Sequence, residues 1–216
     1  MTSPAVPNAG AGSPSSESVA ERLAIVRRRL EVGGRDPAEV TVVAVTKGFS
    51  SRAVAAARSA GLRDVGENYA EELLDKARHD ATPGERDLAL STREMRWHYL
   101  GTIQRRKVKD LAAVVGLWQT VSRVEEGDEI LRRRGVRSVM VEVETTGLQR
   151  RNGCRPSAVA GLVRSLSDRG LEVAGLMTVG PPGPPEGSRD AFRTTARLAR
   201  DLGLCEVSMG MSDDLE

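Results

Sequence analysis

Seven short apolar runs alternate along this chain with charged, Ala- and Leu-rich stretches of helical length, and that alternation leaves few folds open. The runs are TVVAVT at 41–46, LRDV at 62–65, WHYLG at 97–101, GLWQTV at 116–121, RSVMVEV at 137–143, LEVAGLM at 171–177 and LCEVS at 204–208. The helical stretches fall near residues 50–60, 67–79, 104–113, 123–134, 156–169 and 188–202. Several runs are almost wholly apolar, as parallel strands are when both faces of the sheet are covered. Units of this size in alternation imply parallel strands joined by right-handed helical crossovers. One more helix precedes them. Val19, Leu23, Val26 and Leu30 recur at helical spacing, with Ser16 or Ser18 as the expected cap and Gly33-Gly34 as the expected stop. Residues 1–16, MTSPAVPNAGAGSPSS, read as a disordered tail and lack the cationic start and apolar stretch of a signal peptide.

An open doubly wound sheet and a (β/α)8 barrel both fit such alternation. The doubly wound reading lacks its signature, because the first strand ends in Thr46-Lys47-Gly48 and no GxGxxG follows it. The barrel calls for eight strands and about 250 residues, whereas this chain has seven runs in 216 residues. Charge excludes other classes. Thirty-two basic and 30 acidic residues leave a net charge of +2, which gives no general attraction to nucleic acid or anionic lipid. No apolar run approaches the ~20 residues that cross a bilayer. Cys154 and Cys205 lie far apart and His79 and His98 are the only histidines, so neither a disulfide scaffold nor a zinc site is expected. The expected setting is reducing and cytoplasmic.

Lysine is scarce: 28 of the 32 basic residues are arginine, leaving Lys47, Lys76, Lys107 and Lys109. Lys47 sits where the first strand meets its loop, and in a barrel the C-terminal ends of the strands form the active face. Burial there favours the neutral amine, which attacks aldehydes; the alternative is a surface lysine beside a turn. Asn68, in GENY at 66–69, is either a ligand donor or the cap of the next helix. His98 either meets a cofactor or is a satisfied structural histidine. Ser208-Met209-Gly210-Met211-Ser212-Asp213-Asp214 follows the seventh strand; small residues and a glycine let backbone amides approach an anion, the alternative being a simple loop with an Asp helix cap. The clusters Arg27-Arg28-Arg29, Arg132-Arg133-Arg134 and Arg105-Arg106-Lys107-Val108-Lys109 read as solvated helix faces, with attraction of an anion as the alternative for the last, which starts a helix on the ligand face. Gly180 to Pro185, GPPGPP, reads as a stiff rim loop.

Taken in order, the segments VAVTK at 43–47, GENYAEE at 66–72, WHYLGTIQRRK at 97–107, GLMTVGP at 175–181 and SMGMSDDLE at 208–216 resemble the pyridoxal 5′-phosphate (PLP) homeostasis proteins, the YggS/PROSC family. The resemblance spans nearly everything after the tail. It implies a TIM-barrel-type α/β fold of the fold-type III PLP class, like the N-terminal domain of alanine racemase, over residues 17–216. It also implies that Lys47 holds PLP as an internal aldimine, that Asn68 lies beside the pyridine ring, that His98 and Met177 line the pocket and that Ser208 belongs to the phosphate loop. The implied role is supply of PLP and vitamin B6 balance without a dedicated turnover, with apo-PLP enzymes as exchange partners and a monomeric state. A PLP-dependent racemase or lyase is the competing reading. Relatives continue past the last segment into an eighth strand with a cofactor-binding arginine. This chain stops at Glu216, so a barrel truncated after its seventh strand is expected, either as a fragment of a longer product or as a shorter protein with weakened PLP binding.

Overall fold

A computed structural model of the chain describes residues 14–78, 95–148, 151–211 and 214. Most of the expected tail, residues 1–13, lies outside the described residues, as do His79, Ser212 and Asp213. All seven expected strands are present, with ends within two residues of those read from the sequence. The chain divides after His98 into two compact units.

The first unit opens with α1, Ser16–Val32. Its cap is Ser15 rather than Ser16 or Ser18: the Ser15 hydroxyl oxygen accepts the Ser18 N–H at 3.1 Å, and the Ser18 hydroxyl donates back to the Ser15 carbonyl at 2.9 Å. Gly33 ends the helix, its N–H donating to Arg29 O. Then come β1 (Val43–Val45), α2 (Ser51–Ser59), β2 (Asp64–Glu67), α3 (Ala70–Arg78) and β3 (Arg96–Tyr99), whose last residue belongs to the second unit. β1 and β2 are parallel, with Val43 opposite Asp64 and Val45 opposite Gly66. Strand residues alternate faces, so Val65 and Glu67 share a face. That face lies under the helices, where Val54, Ala57 and Leu73 are fully buried. Val45 on the other face is 43% exposed. The second strand runs two residues past its expected end at 65, because Glu67, read as the start of a helix, is a fully buried strand residue.

The second unit holds four parallel strands in the order β4 (Val115–Val121), β5 (Ser138–Glu142), β6 (Glu172–Met177) and β7 (Glu206–Ser208). Its helices are α4 (Arg105–Leu111), α5 (Val124–Leu131), α6 (Val159–Asp168) and α7 (Arg189–Asp201). The α6 residues Val159, Leu162, Val163 and Leu166 are buried, the stripe that the 3.6-residue period places on one side. Trp118 is fully buried and meets the Tyr99 ring edge-on at 5.7 Å. Leu117, Met140 and Met177 form a cluster with Val179 packed against it.

The sheet of this unit curls. The Ser208 hydroxyl on β7 donates to Gln119 Oε1 on β4 at 2.7 Å, although β5 and β6 lie between those strands. In a flat sheet three strand spacings amount to roughly 14 Å, so the face carrying both side chains is concave. Close strand approach also dictates Gly175. A Cβ there would lie 2.0 Å from the carbonyl oxygen of Glu206, its partner on β7. Gly175→Ala is therefore expected to destabilise by about 1–3 kcal/mol or more through overpacking. Urea denaturation checks it: the midpoint should fall with the slope unchanged.

Among the described residues no helix is long and apolar enough to cross a membrane.

Candidate functional site

Lys47 lies two residues past the end of β1 and occupies the second position of a turn, closed by the Phe49 N–H donating to the Thr46 carbonyl at 3.1 Å. Gly48 is the third residue, with φ +77°, the value a type II turn requires there and one that glycine adopts without steric cost. Lys47 is exposed, so the burial expected of it is not found: it lies in a turn beyond a three-residue strand. Its amine has no hydrogen-bond or ion-pair partner among the described residues.

The turn around that amine is held on both sides. Lys76, on α3 and 3% exposed, sends its Nζ to the Thr46 carbonyl at 2.7 Å, to Glu67 Oε1 at 2.5 Å and to Glu72 Oε2 at 3.0 Å. The Thr46 hydroxyl donates to Glu67 Oε1 at 3.1 Å, and Glu67 Oε2 accepts the Asn68 N–H at 3.2 Å. On the far side of Lys47, the Gly48 N–H donates to Glu72 Oε2 at 2.8 Å. Burial holds the Glu67 carboxyl above its ordinary range, against the opposing pull of the Lys76 hydrogen bond. A carboxyl pushed up in the folded state adds stability that is full below its unfolded pKa and is lost as pH rises through the folded value.

Asn68 is half-buried and does not cap α3, which begins two residues later at Ala70. Its side-chain amide has no partner among the described residues. Asn68 stands one residue past the end of β2, and Lys47 two residues past the end of β1. His98 is buried, with Nε2 2.8 Å from Asp64 Oδ1. Asp64 pairs with Val43 and lies on the same sheet face as Val45. The first unit thus brings Lys47 and Asn68 to the C-terminal ends of its strands, and ties His98 to the start of β2.

In the second unit Met177 pairs with Ser208 on one side and Glu142 on the other. Met177 is 5% exposed and serves the core cluster. Ser208 is half-buried, its hydroxyl engaged by Gln119. Beyond it, Gly210 has φ +95°, and the Met211 N–H donates to Asp214 Oδ1, which pins this loop. Glu142 accepts from Asn152 Nδ2 at 2.5 Å. Burial raises its carboxyl and that hydrogen bond opposes the rise.

Lys76, Glu67 and Glu72 escaped the sequence reading. Two signals were present. Lys76 is one of only four lysines, and Glu72 and Lys76 stand four residues apart on a helix, where side chains meet. Lys76 also stands three residues from Leu73 and so close to the helix's buried face.

No family model matches the chain. A curated relative, the pyridoxal phosphate homeostasis protein of Pseudomonas aeruginosa, is 34% identical over 94% of this chain and 88% of its own length. The chain belongs to the pyridoxal phosphate homeostasis protein family. Among solved structures, PipY of Synechococcus elongatus without PLP aligns with a TM-score of 0.72 at 25% identity, over 91% of each chain. The same protein with PLP bound aligns at 0.69 and 24% identity, over 91% of this chain and 90% of that one. Alanine racemase from Bacillus anthracis aligns at 0.65 and 16% identity, over 94% of this chain and 52% of the racemase. The fold is therefore the TIM-barrel-type α/β fold of the alanine racemase class.

Proposed function

We propose that this family member binds PLP through Lys47 and holds it reversibly for supply to other proteins, apo-PLP enzymes among them, without turning over amino acids. The observation that carries the reading is the Lys47 amine: exposed, without an ion pair among the described residues, and mounted on a braced turn at the C-terminal end of β1. Family membership supports it, and the relatives are named for homeostasis rather than for a reaction. The donor chemistry suits the cofactor. A primary amine matches an aldehyde and the Asn68 amide matches ring substituents; on the resemblance, Ser208 and the loop after it are assigned to the phosphate. Bound PLP supplies the aldehyde and a visible chromophore. Lys47 presents a nucleophile that neighbouring carboxylates do not sequester. Asn68, one residue past the end of β2, offers a donor and an acceptor. His98 and Met177 are assigned to the pocket wall on the resemblance, and each is tested by its own alanine variant.

Titrating cofactor-free protein with PLP tests this reading. After subtraction of free PLP, the absorbance change should saturate at one PLP per chain, and Lys47→Ala should show none. A wild-type chain that gains no visible band at saturating PLP overturns the proposal. Lys47-dependent racemisation or elimination of amino acids well above the rate with free PLP overturns its non-catalytic half.

A further inference from the structure

We infer that Lys76 is a positioning residue which, with Glu67 and Glu72, orders the Lys47 turn for cofactor capture. This rests on the proposed role of Lys47 and on the bonding of the turn itself. Four of its groups are spoken for by side chains or by its own closure. The Thr46 carbonyl takes the Lys76 ammonium and the Phe49 N–H, the Thr46 hydroxyl goes to Glu67, and the Gly48 N–H goes to Glu72. These bonds bracket Lys47 and leave its own amine untouched. The acceptors are tied to one another through Lys76, which bridges Glu67 and Glu72.

The location of the network excludes a direct role. Thr46, Glu67 and Lys76 are buried, whereas Lys47 is exposed and Asn68 half-buried. Lys76 is 3% exposed and its three bonds occupy an ammonium that has three donors. It has no proton to spare for a ligand, so its influence passes through the backbone of residues 46–48. Burying a lysine is unfavourable unless it is paired. Filling a buried position needs only an apolar side chain. A cation does what an apolar side chain does not: it holds a carbonyl and two carboxylates in one arrangement. A reacting group held in place avoids the entropy of finding its orientation, and a misplacement of about 1 Å costs on the order of 100-fold.

Two variants test this, Lys76→Met and Glu72→Ala. Glu72 is partly exposed, with 25% of its side chain accessible, so its variant is expected to fold even where Lys76→Met does not. The first readout needs no cofactor: amide hydrogen exchange at Gly48 in the cofactor-free protein. Protection there should fall at least about 10-fold in either variant, with Val65 and Leu73 unchanged in Glu72→Ala. The second readout is growth of the visible band after mixing with PLP, well below each variant's unfolding temperature. The rate at saturating PLP should fall about 10- to 100-fold, while the half-saturating concentration changes little. A merely structural role would lower the unfolding temperature and leave that rate intact in the folded protein. Unchanged Gly48 exchange in Glu72→Ala, or an unchanged saturating rate in a folded variant, overturns the inference. Failure of the parent reading looks different. Lys47→Ala would then colour like wild type, and Gly48 exchange would still report whether the network orders the turn.

Discussion

Methionine in place of Lys76 will lower the stability of the fold by about 3–5 kcal/mol, the cost of breaking a buried ion pair from one side. That is a large share of the roughly 5–15 kcal/mol that holds a domain together. The cause is what remains. Glu67 is fully buried and, among the described residues, would keep the Thr46 hydroxyl and the Asn68 N–H as donors. Its carboxyl is already raised by burial with Lys76 pulling the other way, so removing Lys76 raises it further. The variant escapes part of the penalty by keeping Glu67 protonated. Its stability is then fullest below the unfolded carboxylate pKa and falls as pH rises through the folded value. The penalty should thus be larger at pH 8 than at pH 5, and urea midpoints at the two pH values measure it. Lys76→Met with Glu67→Gln should recover much of the loss, since a neutral amide replaces the stranded charge.

Arginine in place of Lys47 will remove PLP capture and leave stability within about 0.5 kcal/mol, the usual range for an exposed substitution. The charge is retained, so any general attraction for a phosphate persists. What is lost is an amine that can lose a proton, because guanidinium stays protonated in proteins. The variant should show no visible band, and retained PLP should wash out by dialysis. Thermal unfolding of the cofactor-free chain should match wild type. The two variants are expected to separate: Lys76→Met costs stability and slows capture, whereas Lys47→Arg abolishes capture at little cost in stability.

Much of the fold was legible in the sequence because its signal is periodic. The alternation of apolar runs and helical stretches located seven strands, and four of the five motif segments contain the strand ends that carry Lys47, Asn68, Met177 and Ser208. What was missed came from polar groups inside. Glu67 reads as a helix-starting acid, yet it ends a strand, because Lys76 from the next helix partners it in the core. Neither residue signals this alone, and their pairing becomes visible only when α3 folds back on β2. Ser208 shows the same limit. Its small, loop-like context was plain, but its bond to Gln119 joins residues 89 positions apart. That bond requires the curl of four strands, which no local pattern encodes. The expected burial of Lys47 failed for a related reason: position at a strand end is legible, whereas cover over that end is a property of neighbouring elements.

The most direct test of the account is where PLP becomes attached. Cofactor-free protein is mixed with PLP, reduced with borohydride, digested and mapped by mass spectrometry. With four lysines in the chain the outcome is unambiguous. The account predicts the reduced cofactor mass on the peptide containing Lys47 and none on Lys76, Lys107 or Lys109 at one equivalent of PLP. Attachment spread over the exposed lysines, or its persistence in Lys47→Arg, would contradict it.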